Sequence, residues 1–225
     1  MKSYKYLDIA TVSFVVVLLL SNFVANNKFS QIGSFAFGSG IIFFPASYLL
    51  GDILTEVYGY SKSRRVIWIG FGFMLLSTLV VQIILWLPSA QGWLNQKAYE
   101  AVFSNTGRTV FSSILAFWAG EFANSYTLAK MKIITSGKYL WTRTIGSTIV
   151  GEGVDTLIFY PLAFGGLLSF PWHLIFSVML ANYFLKVMWE VIATPVTYKV
   201  VAYLKKVENE DYYDTKTNFN PFVAS

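Results

Sequence analysis

The sequence predicts an all-α membrane protein with six transmembrane helices. Hydrophobic residues make up 55% of the 225 residues and charged residues only 13%, whereas soluble domains carry about 25% charged residues. Six apolar stretches are long enough to cross a bilayer at a helical rise of about 1.5 Å per residue. The basic residues gather in alternate connections between these stretches, a pattern typical of multi-pass membrane proteins.

The six stretches follow one another with short connections. They cover residues 8–25, 38–58, 66–87, 108–130, 145–169 and 172–203. The third carries no charged residue, whereas the sixth contains Pro195 and is long enough for a tilt, a kink or an extension beyond the membrane. In the connection formed by residues 91–106 we expect a short interfacial helix around Trp93.

The basic residues also orient the spans. The connection between the second and third spans contains Lys62, Arg64 and Arg65, and further basic residues lie between the fourth and fifth spans and after the sixth. Basic connections remain in the cytoplasm, so both termini are predicted to be cytoplasmic. Residues 1–207 then form one transmembrane domain. Residues 208–225 form a polar cytoplasmic tail that we expect to be disordered or loosely packed.

Carboxylates inside the predicted spans are the main functional signal. An ionisable side chain near the centre of a bilayer costs about 2.5 to 3.5 kcal/mol, so these groups are expected to face the interior of the bundle. They occur with a spacing of three or four residues, which places each pair on one helical face. The polar pairs are Asp52 and Glu56, Glu121 and Asn124, and Glu152 and Asp155, with Glu190 as a further candidate. Three polar stripes that face one another would enclose a polar cavity.

The partners of these carboxylates are left open by the sequence. Lys130, Arg143 and Lys186 can pair with some of them, but cations are too few to pair with all. Protons, a bound cation or a substrate that donates hydrogen bonds would satisfy the rest. Aromatic residues near the stripes can stack on a flat ligand, and they are Phe44, Tyr48, Trp118 and Tyr126. Glycine, alanine and serine at four-residue spacing beside Glu121 and Glu152 predict close helix packing.

Several classes of function are disfavoured. The chain has no cysteine and one histidine, which rules out thiolate metal sites and disulfides. It contains no phosphate-binding loop and no zinc-protease motif, so we expect no enzyme activity, no cofactor and no metal. The net charge of +5 is attributed to anchoring at the membrane surface and not to nucleic acid. The expected partners are therefore a small molecule and membrane lipid.

Three strings of residues, together with Ser21-Asn22 in the first span, are similar to one known family. They are Phe44-Pro45-x-x-Tyr48-x-x-x-Asp52-x-x-x-Glu56-Val57-Tyr58-Gly59-Tyr60, Gly120-Glu121-x-x-Asn124-Ser125-x-x-x-x-Lys130 and Trp141-x-Arg143-x-x-x-Ser147-x-x-x-Gly151-Glu152-x-x-Asp155. Their order and spacing over residues 8–200 resemble the queuosine precursor transporter family, also called the vitamin uptake transporter family.

The resemblance implies a bacterial inner-membrane importer of 7-deazaguanines such as preQ0, preQ1 or queuine, with an architecture similar to the substrate-binding subunits of energy-coupling-factor transporters. Such a base offers N–H donors beside a carbonyl, which carboxylates and asparagine can bind. We expect substrate to be bound by Asn22, Phe44, Tyr48, Asp52, Glu121, Asn124, Glu152 and Asp155. We expect Glu56, Arg143 and Lys130 to act in proton coupling or gating.

Alternatives remain at this stage. Transport could be driven by protons or by a separate ATPase that uses the chain as its substrate-binding subunit. A membrane-embedded enzyme and a scaffold without a ligand are the rival classes. The preferred deazaguanine and the formation of a homodimer are left open.

Overall fold

A computed structural model describes residues 4–25, 29–32, 35–38, 40–103, 107–166 and 171–223 of the chain. In these ranges the chain forms seven α-helices and one β-hairpin. The helices are α1 (Leu7–Leu20, continued by a π-helical turn over Ser21–Ala25), α2 (Gly40–Tyr58), α3 (Tyr60–Trp86), α4 (Gln96–Phe103), α5 (Gly107–Ile134), α6 (Leu140–Phe164) and α7 (Trp172–Glu208). The hairpin consists of β1 (Phe29–Ile32) and β2 (Phe35–Gly38), which are antiparallel.

The six predicted spans correspond to α1, α2, α3, α5, α6 and α7. Their ends differ from the prediction, because α3 begins at Tyr60 and α6 at Leu140. A helix forms its hydrogen bonds within its own backbone, so its polar ends can continue past the hydrocarbon. The short helix α4 begins three residues after Trp93. The hairpin before α2 was not predicted.

Helix α2 lies at the centre of the bundle. It contacts α1, α3, α5, α6 and α7, and every residue from 51 to 60 is buried. A single residue, Gly59, joins α2 to α3, and its φ of 86° lies in the left-handed region that favours glycine. Side chains on every face of the C-terminal half of α2 are therefore surrounded by protein. This explains how the helix can carry two acidic residues.

Helices α5 and α6 cross at two glycines. A methyl group on Gly120 would lie 2.9 Å from the carbonyl oxygen of Gly151, and one on Gly151 would lie 2.6 Å from Cβ of Asn124. The close packing predicted from small residues is confirmed at this crossing. It brings the polar stripes of α5 and α6 together.

The outside of the bundle is apolar. Leu79 on α3 is 60% exposed and Ile192 on α7 is 73% exposed, and they belong to long rows of exposed aliphatic and aromatic residues. Among the described helices, α3 and α7 are long and apolar enough to cross a membrane. Helices α5 and α6 carry their acidic residues on buried faces. Acids inside and apolar side chains outside are the arrangement that lipid requires.

The tail packs against one end of the bundle, which we call the basic end. It is the end where α2 meets α3, α5 leads into α6 and α7 finishes. The tail carbonyls of Asn218 and Asn220 each accept a 2.8 Å hydrogen bond from Arg64. The carboxylate of Asp214 accepts one of 3.0 Å from the backbone of Tyr60. The expected loose packing is therefore wrong for residues 209–223.

Candidate functional site

Three helices meet at Asp52. This residue is fully buried on α2, and its Oδ1 accepts a 2.6 Å hydrogen bond from Nδ2 of Asn124 on α5. The hydroxyl of Ser147 on α6 donates to the same carboxylate over 3.4 Å. The predicted meeting of the three polar stripes is thus confirmed, whereas a cavity between them stays a prediction.

Glu121 lies against the backbone of α2. Its side chain is fully buried, and a methyl group on Gly51 would overlap its Oε1. Within the described part of the chain, neither oxygen of Glu121 has a hydrogen-bond partner. A buried carboxylate without a donor is costly. Glu121 therefore requires a proton or a ligand with N–H or O–H groups.

Lys186 on α7 pairs with the acids of α6. Its ammonium donates to Oε2 of Glu152 over 2.7 Å and to Oδ2 of Asp155 over 2.9 Å. The same nitrogen lies 4.3 Å from the centre of the Phe44 ring on α2, a cation–π distance. The sequence suggested Lys186 as a counter-ion but did not include it among the site residues. Its position inside an apolar span is the signal that could have identified Lys186 as a site residue.

Tyr48 reaches from α2 to the crossing of α5 and α6. Its ring is fully buried and lies 5.9 Å from that of Phe44. Its hydroxyl and Cβ of Asp155 would lie 2.5 Å and 3.0 Å from a methyl group on Gly120. Tyr48 therefore lies close to Asp155, and Phe44 lies beside Lys186.

Glu190 is a site residue that the sequence only suggested. It lies on α7 one helical turn after Lys186, and it is 1% exposed. Helix α7 packs against α2 and α6, the helices that carry Asp52 and Glu152. Its spacing of four residues from Lys186 was the signal that could have added it.

A second charged group occupies the basic end. Glu56 accepts hydrogen bonds of 2.9 and 3.2 Å from Arg143 and one of 2.6 Å from Lys205. The ammonium of Lys132 lies 3.5 Å from the same carboxylate. Lys130, which we expected to serve coupling or gating, instead lies over the ring of Phe219 at 4.0 Å. Two residues correspond to about 200° around a helix, so Lys132 and Lys130 face opposite sides.

Three further candidates lie apart from the polar cluster. Asn22 bonds to the carbonyl of Leu18 and to Ser113, and Ser113 is about 12 Å along α5 from Glu121. Trp118 packs on Trp68. Tyr126 packs on Phe219 in the tail and is largely exposed. The structure therefore does not bring Asn22, Trp118 or Tyr126 to the carboxylates.

The balance of charge in the middle of the bundle is strongly acidic. We call the group formed by Asp52, Glu121, Glu152, Asp155 and Glu190 the acidic cluster. Among the residues that the structure describes, Lys186 is the cation hydrogen-bonded to this cluster. The same residues contain no group of three or more histidine, cysteine or acidic side chains arranged to hold a metal ion. The arrangement can bind donor groups and cations of organic ligands.

Comparisons with known proteins agree with the polar strings. Residues 38–200 match the model of a family described as a putative vitamin uptake transporter. A probable queuosine precursor transporter of Bacillus subtilis (strain 168) is 30% identical over 76% of this chain and 73% of its own length. The queuosine precursor transporter of Escherichia coli (strain K12) is 25% identical over 72% of this chain and 70% of its own length. No solved structure matches the chain. The chain belongs to the vitamin uptake transporter family, which is a family of membrane transporters and not of enzymes.

Proposed function

We propose that the chain imports 7-deazaguanine precursors of queuosine and binds them at the acidic cluster. The observation that carries the proposal is Glu121, a fully buried carboxylate without a donor in the described part of the chain. Free oxygens of Glu152, Asn124 and Glu190 add to an acceptor-rich surface. The names of the relatives supply the ligand class.

The chemistry of such a base fits these groups. A 7-deazaguanine carries two kinds of N–H donor on one edge, and one carboxylate can accept both side by side. We assign this edge to Glu121. The flat ring would pack against Phe44 and Tyr48, whose rings lie next to each other and close to Lys186. Asp155 and Glu152 would orient Lys186 toward the ligand.

Proton coupling is the energy source that we propose. Like charges in a medium of low dielectric constant cannot all be ionised, so some members of the acidic cluster must hold protons. Ligand binding and proton binding would then influence each other through shared carboxylates. Glu56 and Arg143 form part of a buried ion cluster at the basic end, and we assign them to gating. Uptake into liposomes that contain only this protein and a proton gradient tests the coupling.

The proposed topology has six spans in the bacterial inner membrane, with both termini cytoplasmic and an architecture like that of energy-coupling-factor substrate-binding subunits. The carboxylate of Glu208 accepts hydrogen bonds from the backbone of Lys5 and Tyr6, so the described residues before α1 lie at the basic end, where α7 finishes. Because the chain lacks cysteine, single cysteines can report sidedness. An impermeant maleimide should label Gln91→Cys in intact cells and Lys206→Cys only after permeabilisation.

Uptake of labelled 7-deazaguanine by cells that carry Glu121→Gln tests the assignment. The amide loses the charge and turns one acceptor into a donor, which removes about 1.5 to 3 kcal/mol, or about 10- to 100-fold in apparent affinity. Glu100→Gln on the exposed helix α4 is the matched control and should transport like the wild type. Wild-type uptake by Glu121→Gln at equal expression would remove Glu121 from the site.

A further inference from the structure

Glu190, like Glu121, differs from the other three acids of the acidic cluster in its partners. Lys186 neutralises much of the charge of Glu152 and Asp155 through its two hydrogen bonds. Asp52 receives hydrogen bonds from Asn124 and Ser147. For Glu190, by contrast, the described residues supply no donor to either oxygen, although the residue is 1% exposed.

The surroundings of Glu190 favour a cation. Helix α7 packs against α2, which carries Asp52, and against α6, which carries Glu152. Lys186 on its own helix has its charge offset by two carboxylates. A primary ammonium brings three N–H donors and a positive charge, and charge-assisted hydrogen bonds are about twice as strong as neutral ones. A neutral base bound at Glu121 would give Glu190 neither a hydrogen-bond donor nor a positive charge.

We propose that Glu190 is a subsite for a protonated amine on the ligand. The inference rests on the proposed function and narrows the ligand class. A 7-deazaguanine that carries an aminomethyl group, as preQ1 does, should be preferred over the same ring that carries an uncharged nitrile, as preQ0 does. The base edge belongs to Glu121 on α5, and the amine belongs to Glu190 on α7.

Purified protein in liposomes gives the test, with labelled preQ1 and preQ0 as the two probes. Loss of one charge-assisted contact in Glu190→Gln should weaken the apparent affinity for preQ1 about tenfold. The affinity for preQ0 should stay within about twofold, because the nitrile gains nothing from the carboxylate. Glu121→Gln should weaken both ligands alike, since both share the base edge.

The controls separate folding from recognition. Glu100→Gln on α4 should leave both affinities unchanged, and Glu190→Asp should retain part of the preference for preQ1 because it keeps the charge. Monodisperse elution and an unchanged thermal midpoint establish that each variant is folded. A preference for preQ1 that survives in folded Glu190→Gln, or a wild type that does not discriminate, would overturn the inference. A wild type that takes up neither ring would instead refute the proposed function.

Discussion

The contact between Gly51 and Glu121 shows how one residue creates room for a buried acid. Glycine inside a helix costs about 0.5 to 1 kcal/mol relative to alanine. Gly51 is buried on α2, and the carboxylate of Glu121 occupies the space that a Cβ atom would fill. The missing side chain therefore lets α5 direct its acid toward the neighbourhood of Asp52.

We predict that Gly51→Ala destabilises the protein and impairs transport. The added methyl group would overlap Oε1 of Glu121, and overpacking of a core costs about 1 to 3 kcal/mol. Thermal unfolding in detergent and uptake at equal expression measure the two effects. Gly72→Ala on α3 is the control, because nothing lies within 4 Å of the added methyl group. Equal stability of the two variants would contradict the contact.

The sequence predicted the positions of the buried polar residues better than it predicted their partners. The spacing of three or four residues placed Asp52, Asn124 and Glu152 correctly on buried faces, because helical periodicity is local. The spacing did not show that Lys132, and not Lys130, is the lysine of α5 that lies beside Glu56. That choice depends on the rotation of α5 against α2. Nor could it join Lys186 to Glu152, since the packing of α6 on α7 is not encoded in local spacing.

The crossing of α5 and α6 determines the shape of the site. The backbones approach at Gly120 and Gly151, and the polar side chains on either side of this contact are Glu121, Asn124 and Asp155. Separation of the two helices would therefore move all three. The crossing is a structural requirement of the site and not only a packing motif.

We predict that Gly120→Ala lowers both stability and substrate affinity. The methyl group would lie 2.5 Å from the hydroxyl of Tyr48 and 2.9 Å from the carbonyl of Gly151, and a backbone atom cannot move aside as a flexible side chain can. We expect a loss of about 1 to 3 kcal/mol in the free energy of unfolding. Gly153→Ala on α6 should not destabilise the protein, because its methyl group would meet only a carbon of Tyr183 at 3.9 Å. Thermal unfolding and ligand-binding measurements on Gly120→Ala and Gly153→Ala compare their stability and substrate affinity.

The existence of the six long helices was predictable and their ends were not. Apolar length indicates a span, but residues 60–65 are polar or basic and still helical, because Gly59 lets α3 start directly after α2. The hairpin has no periodic signal strong enough to separate its residues from the start of α2.

The buried charges of the protein form two levels along the bundle. The acidic cluster lies in the middle of the bundle, and Glu56, Arg143, Lys205 and Lys132 lie at the basic end. The tail adds Asp211 to the second level. Its Oδ1 lies 2.6 Å from Nζ of Lys132 and 2.8 Å from Nζ of Lys205. Polar composition suggested disorder for the tail, because composition cannot reveal partners that lie far away in sequence. We infer that docking of the tail stabilises the basic end.

We predict that Asp211→Asn lowers the thermal midpoint at neutral pH but not in acid. Burial alone would raise the pKa of Asp211, but hydrogen bonds from Lys132 and Lys205 lower it below its ordinary value of 3.8. A lowered pKa in the folded state stabilises the protein above pH 3.8, and this stabilisation is lost as the pH falls through the folded pKa. Since the side chain is 46% exposed, the contribution is about 1 kcal/mol or less.

Thermal unfolding of the wild type and Asp211→Asn between pH 7 and about pH 3 provides the measurement, because the stabilisation begins to be lost as the pH falls below the ordinary pKa of 3.8. The difference between their midpoints should be constant in the upper part of this range and should shrink at the acid end. Asp8→Asn, at an exposed position on α1, should show a smaller difference throughout, because no cation is hydrogen-bonded to that carboxylate among the described contacts. A midpoint difference for Asp211→Asn that stays unchanged down to the acid limit would mean that the carboxylate charge does not hold the tail. The contacts of the tail with Arg64, Tyr60 and Trp68 would then account for its docking.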